Sequence, residues 1–208
     1  MRKKNALFIT CEHGGNTIPH RYCYLFDNTN ILDTHRGYDP GALPLAKKIA
    51  GYNHCDLQYE TICRLLVDQN RSIGHGSLFS RYSQKLSPQE RESLLVRYYN
   101  PYHQKIRSIL QYNLSAKYFT IHLSIHSFTP VLDNVVRNAD VGLLYDPSRD
   151  TECRAAEWLK KSITERIDGI RVRRNYPYKG ISDGLTAWLR KKYSCAVYCG
   201  IEIEINQK

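Results

Sequence analysis

Apolar and polar positions along the chain repeat with two periods. Short apolar runs rich in β-formers, residues 6–11 and 61–68, predict buried strands. Residues 41–50 carry apolar side chains at 42, 43, 45, 46, 49 and 50, which predicts a helix closed by Gly51. The clearest helix start is Ser87, followed by Pro88 and by Glu90 at the position of a capping box. From there a helix should run towards Leu114, bent or broken at Pro101. A strand over 118–126, an amphipathic helix over 151–167, a helix over 185–192 and a last strand over 196–205 complete the pattern. Strands alternating with helices imply an α/β fold: one twisted, mostly parallel or mixed sheet with helices on both faces. Ligands of such sheets bind at the carboxyl ends of the strands.

Two of the strands carry polar groups where a core is expected. Period two places His122, Ser124 and His126 on one face and Ile121, Leu123 and Ile125 on the other. Glu202 and Glu204 likewise share a face of the last strand, and carboxylates are seldom buried without a metal, an arginine or a water to activate. Glu12 and His13 follow the first strand, and Asp68, Asn70 and Arg71 follow the second. Each group alone has an ordinary reading, a surface histidine, a solvated sheet face or a turn with a structural ion pair. Their convergence on strand ends points instead to one site. Neutral imidazoles and a carboxylate hold zinc in catalytic centres that keep one position open to water. A free Glu can then act as base while an Arg stabilises the developing oxyanion.

Composition narrows the classes. The 208 residues, 42% hydrophobic and 11% aromatic, suit one folded domain over 1–208. No apolar stretch approaches the length of a membrane span, and the apolar run behind the basic N-terminus is too short for a signal-peptide core, so a cytoplasmic protein is expected. Seven cysteines, odd in number, scattered and without a Cys-x-x-Cys pair, support neither a disulfide framework nor a cysteine zinc knuckle; most should be reduced and buried. The net charge of +10 is spread along the chain, with short clusters at 171–174 and 190–192 and no nucleic-acid module. A small anionic substrate or a solvated face accounts for it better than nucleic acid does; the oligomeric state is left open.

Six segments give the chain a resemblance to a known family: residues 11–19 (CEHGGNTIP), 33–42 (DTHRGYDPGA), 65–71 (LLVDQNR), 124–128 (SIHSF), 175–180 (NYPYKG) and 202–207 (EIEINQ). In this order they resemble the N-formylglutamate amidohydrolase family. The resemblance implies a fold like that of zinc carboxypeptidases and aspartoacylase-type deacylases, and hydrolysis of the amide bond of a small anionic N-acyl amino acid such as N-formyl-glutamate. It also implies one zinc per chain, with His13 and His126 as ligands, Asn70 and Arg71 as substrate-binding residues and Glu204 as the catalytic base. Carboxypeptidases place a ligand Glu three residues after the first His, where this chain has Asn16. Asp39 is therefore expected as the third ligand, with His35 and Glu12 as rivals, and a helix N-cap as its ordinary role. Glu202 is the rival to Glu204. A carboxypeptidase or peptidoglycan-type amidase on the same scaffold, or a binding protein without catalysis, stays open as an alternative.

Overall fold

The computed structural model describes residues 4–26 and 30–208. Its elements, in chain order, are β1 (Asn5–Cys11), α1 (Ala42–Asn53), β2 (Asp56–Tyr59), α2 (Pro88–Leu94), α3 (Asn100–Ser115) and β3 (Phe119–Phe128). A small hairpin follows, β4 (Val131–Leu132) with β5 (Val135–Val136), then β6 (Val141–Leu144), α4 (Asp150–Thr164), β7 (Val172–Arg174), α5 (Leu185–Lys192) and β8 (Tyr198–Asn206). The main sheet has the order β2-β1-β3-β8-β6-β7. It is parallel except where β6 runs antiparallel to β8.

Two layers of helix cover the sheet, as expected. On one face Ile9, Ile125 and Ile201 pack against Ala46 of α1 and Ala156 of α4. On the other, Phe8 and Tyr198 pack against Tyr102, Ile106 and Leu110 of α3 and Leu185 and Leu189 of α5. Burying each large apolar side chain contributes roughly 1.5–3 kcal/mol, so these two faces fix the strand register. That register sets His126 opposite Glu204 and Ser124 opposite Glu202. The polar stripe thus lies on the α3/α5 face. His122, deepest on it, is satisfied within the core by Thr10 Oγ1 and the Tyr198 hydroxyl, each at 2.8 Å.

Four expectations are corrected. Residues 61–68 are not a strand: they form a buried loop, touching the sheet only through the bridge of Ile62 with Thr17. Their apolar side chains, Ile62, Leu66 and Val67, fill a second core with Leu78, Leu94 and Tyr99. The strand beside β1 is instead β2, an edge strand with no apolar pattern. Gly51 does not close α1, which continues to Asn53 and ends at His54 in the left-handed conformation, φ 48°. Nor does Pro101 break the long helix. Ser87 does build its capping box with Glu90, and between α2 and α3 the winding widens over Leu95–Tyr99, so that the Asn100 N–H reaches the Leu95 carbonyl. Pro101 then falls in the first turn of α3, where its missing N–H is not needed. Among the described residues, no helix is long and apolar enough to cross a membrane. All seven cysteines are free thiols, but only Cys11, Cys63 and Cys199 are buried.

Candidate active site

At the carboxyl edge of the sheet the polar stripe meets the loop after β1 and the start of α1. His13 Nδ1 lies 3.3 Å from Asp39 Oδ2, and His126 Nδ1 lies 2.8 Å from the same oxygen. These three ligand-type atoms fall within 4.8 Å of one another, and all three residues are buried. Asp39 does not cap α1: Gly41 stands at that cap, and the Asp39 carboxylate also takes Arg64 Nη1 at 3.3 Å.

Each imidazole is held from behind by a carboxylate. His13 Nε2 donates to Asp68 Oδ1 at 2.7 Å, and His126 Nε2 faces Glu12 Oε2 at 2.9 Å. A proton on Nε2 leaves the Nδ1 lone pair of each ring free, directed to the point where Asp39 Oδ2 sits, the outer-shell pattern that orients histidine ligands. Asp68 is itself fixed by Arg64 at 3.2 Å and by the Asn70 N–H at 2.9 Å. Glu12 takes the Ser124 hydroxyl at 2.6 Å and the Tyr102 hydroxyl at 2.9 Å. Arg64 pairs with Asp39 and Asp68, while Glu12 pairs only with His126, so the three buried carboxylates outnumber the guanidinium among them and a cation would offset the excess. The donor set and its charge fit a divalent metal of the zinc type.

The same contacts set the charge on each group of the cluster. Burial opposes charge on Asp39, yet His13 and His126 hold its carboxyl well below the usual range. Burial likewise opposes charge on Asp68 and Glu12, but Arg64 holds the first ionised and His126 with Ser124 the second. His126 is pushed up despite burial, because Asp39 and Glu12 both bond to it. Glu204 behaves differently. Burial pushes its carboxyl up to about 7, with Asp39 and Glu202 adding to the shift and His126 opposing it, and its Oε2 has no hydrogen-bond partner. Glu202 accepts from the Thr186 hydroxyl of α5 and is thereby anchored.

A cavity of about 260 Å³ opens over the cluster, lined among others by His13, Asp39, His126, Glu204, Asn70 and Arg71. Asn70 Oδ1 accepts the Leu185 N–H at 2.6 Å and so caps α5 from outside; Gly184 is required there, since a Cβ would stand 2.9 Å from that oxygen. Arg71 Nη1 donates to the carbonyls of Asn70 and Asp183, at 3.1 and 2.6 Å. Asp183 is held in turn by Ser72, which ties the loop carrying Arg71 to the loop before α5. That second loop starts at Asn175, φ 48°, whose Oδ1 accepts from the Tyr145 and Gly180 N–H groups, and it brings Tyr178 and Lys179 to the cavity.

The structure brings together His13, Asp39, His126, Glu204, Asn70 and Arg71 as the sequence predicts. Of the rival ligands, Glu12 stands behind His126, and His35 lines the cavity outside the cluster. Asn16 is engaged by Leu32 and Asp33. Arg171 is exposed and paired with Asp140, away from the cavity lining. The part of Arg64 was missed; its only signal was a lone basic residue in an apolar run.

Buried imidazoles and carboxylates at the carboxyl edge of a mixed sheet define an α/β protein with a candidate hydrolytic centre. The model of the N-formylglutamate amidohydrolase family matches residues 5–208. The chain belongs to that family, whose members are hydrolases. Its structure is similar to the crystal structure of gene product Atu2144 from Agrobacterium tumefaciens, with 29% identity and a TM-score of 0.83 over 98% of this chain and 81% of that one. It shares its fold with the N-formylglutamate amidohydrolase from Ralstonia eutropha JMP134, at 20% identity and a TM-score of 0.76, over 99% of this chain and 83% of that one. Among curated proteins none matches.

Proposed function

We propose that residues 1–208 form one catalytic domain, a cytoplasmic zinc-dependent amidohydrolase that cleaves the amide bond of a small N-acyl amino acid such as N-formyl-glutamate. The observation that carries this reading is the meeting of His13 Nδ1, His126 Nδ1 and Asp39 Oδ2 beside a buried carboxyl, Glu204, with an unpaired oxygen. Family membership supports the amide bond as the target. Free thiols throughout support a reducing compartment.

His13, Asp39 and His126 would hold one zinc per chain. Bound there, zinc supplies a Lewis acid and lowers the pKa of a water, towards about 7 in known sites. Asp68 and Glu12 keep both histidines in the tautomer that leaves Nδ1 free. Glu204 takes the proton of the attacking water and passes it to the leaving amine, and a carboxyl poised near 7 can do both. Arg71, fixed by the Asn70 and Asp183 carbonyls, binds the substrate carboxylate or the developing oxyanion, and Asn70 completes that wall. A cavity of about 260 Å³ suits a small substrate better than a peptide.

Glu204→Gln keeps the shape and removes the base. Turnover should fall by about 10²–10⁴ with metal content and substrate affinity retained. Glu202→Gln, on the same face, should slow turnover far less. Exchange of the two results would move the base to Glu202, and loss of metal in Glu204→Gln would make Glu204 a ligand. Full amide hydrolysis in both variants would refute the mechanism.

A further inference from the structure

The face of the sheet that carries α1 and α4 is not closed. Between the two helices runs a groove of about 830 Å³, floored by Leu123, Ile201 and Ile203. Leu45 and Ile49 of α1 form one wall, and Leu159 and Ile163 of α4 the other. Among the described residues its polar lining is Asn53, Asp140, Asn206 and Lys208, and Asp140 pairs with Lys208 at 3.3 Å. Trp158 of α4 lines the groove and is 66% exposed; Ile167, just beyond that helix, is 52% exposed. Helical spacing puts Lys48 and Tyr52, both exposed, on the side of α1 that Leu45 and Ile49 give to the groove. Single apolar side chains on a surface are ordinary, but a contiguous apolar surface of this extent marks a docking face.

A small ligand would need convergent polar groups to orient it, and here they come only from the ends of elements. A membrane surface would need a basic rim. Residues 150–168 instead expose four acidic side chains, Asp150, Glu157, Glu165 and Asp168, and four basic ones. The chain as a whole carries +10, so two copies repel one another over most of their surface. At physiological salt, however, exposed charges further apart than about 8 Å are largely screened, and the balance at the contact decides. A second copy can therefore approach along α4, where the charges cancel, and its acidic side chains there can meet Lys48 across the groove. Nineteen residues line the groove, close to the roughly 20–30 a side of a stable interface. We propose that this groove is a homodimer interface in which α4 of each copy seats Trp158 over the isoleucine floor of the other. A two-fold contact uses the same face on both copies, so this face both gives and receives the tryptophan. An exposed tryptophan beside an apolar pocket is also the side chain on which interface energy concentrates. The proposal stands apart from the reaction at the carboxyl edge of the sheet.

Sedimentation velocity on the protein as purified, over a wide range of concentration, tests it. The wild type should form a species of twice the chain's mass. Trp158→Glu should weaken that association by at least about thirty-fold, the worth of a dominant interface side chain. Ile167→Lys should weaken it as well, and carries the same test if Trp158→Glu fails to fold. Tyr112→Glu, at a residue 68% exposed on α3 on the other face of the sheet, should leave the dimer intact. A wild type that stays monomeric throughout would overturn the proposal, and a monomer that floats with anionic vesicles would overturn it in favour of a membrane surface. A dimer that both groove variants leave as tight as Tyr112→Glu does would place the contact elsewhere and overturn it equally.

Discussion

Glu202 and Glu204 stand two residues apart on one face of β8, and their neighbours separate them: Thr186 anchors the first, while burial leaves the second poised to exchange a proton. Asp68 illustrates how a residue one shell back can matter as much. It bonds the far nitrogen of His13 and is ionised by Arg64, so it orients the ring and raises its basicity. Asp68→Asn should keep the fold and lower zinc affinity by about 10–100-fold, measured by competition with a chelator. Unchanged affinity would show that the His13–Asp68 bond is incidental to metal holding. Strand period and strand end placed His13, His126 and the Glu202/Glu204 pair without any long-range information, but the choice of Glu204 came from the resemblance. Asp39 was legible only through the resemblance. The roles of Arg64 and Glu12 were not, since they depend on the path of the 61–68 loop and on which face of His126 each carboxylate meets.

Among the elements, capping was easiest to read and edge strands hardest. The Ser87 hydroxyl accepts the Glu90 N–H at 3.3 Å while the Glu90 carboxylate takes the Ser87 N–H at 2.9 Å. Ser87→Ala should therefore destabilise the fold by about 0.5–2 kcal/mol, seen as a lower denaturant midpoint at unchanged slope. No shift would mean that the widened turn and Pro101, not the cap, set the start of this helix pair. Residues 61–68 looked like a strand because their side chains are apolar, but that apolarity serves a loop packed in the second core. Strands β2, β6 and β7, of four, four and three residues, offered too little periodicity to be seen. Hydrophobicity reports burial; it reports pairing only when the run is long.

At the scale of the whole molecule, His103 and His122 are buried in the described residues with no carboxylate bonded to either ring. Burial lowers His103 to about 4 and His122 to about 3, so both are neutral in the folded protein. In the unfolded chain each titrates near 6.5 and binds a proton first. Their depressed values therefore give stability that is fully present above about 6.5 and is lost as pH falls towards 4 and then 3. His103→Phe should remove part of that slope, up to roughly 3 kcal/mol between pH 7 and pH 4. Melting temperatures across that range would read it, and parallel curves for the two proteins would contradict it. The same two-layer sheet that buries these histidines presents His126 at the carboxyl edge of β3, where the helices of its face stop covering the polar stripe.

The central claim is that His13, Asp39 and His126 hold a catalytic metal. Plasma emission on the purified protein tests it most directly, with zinc restored and excess removed. The expected result is about one zinc per chain in the wild type and in His122→Ala, whose ring is bonded only to Thr10 and Tyr198, against none in a folded His126→Ala. A zinc content near zero in the wild type, or equal loss in both variants, would contradict the account.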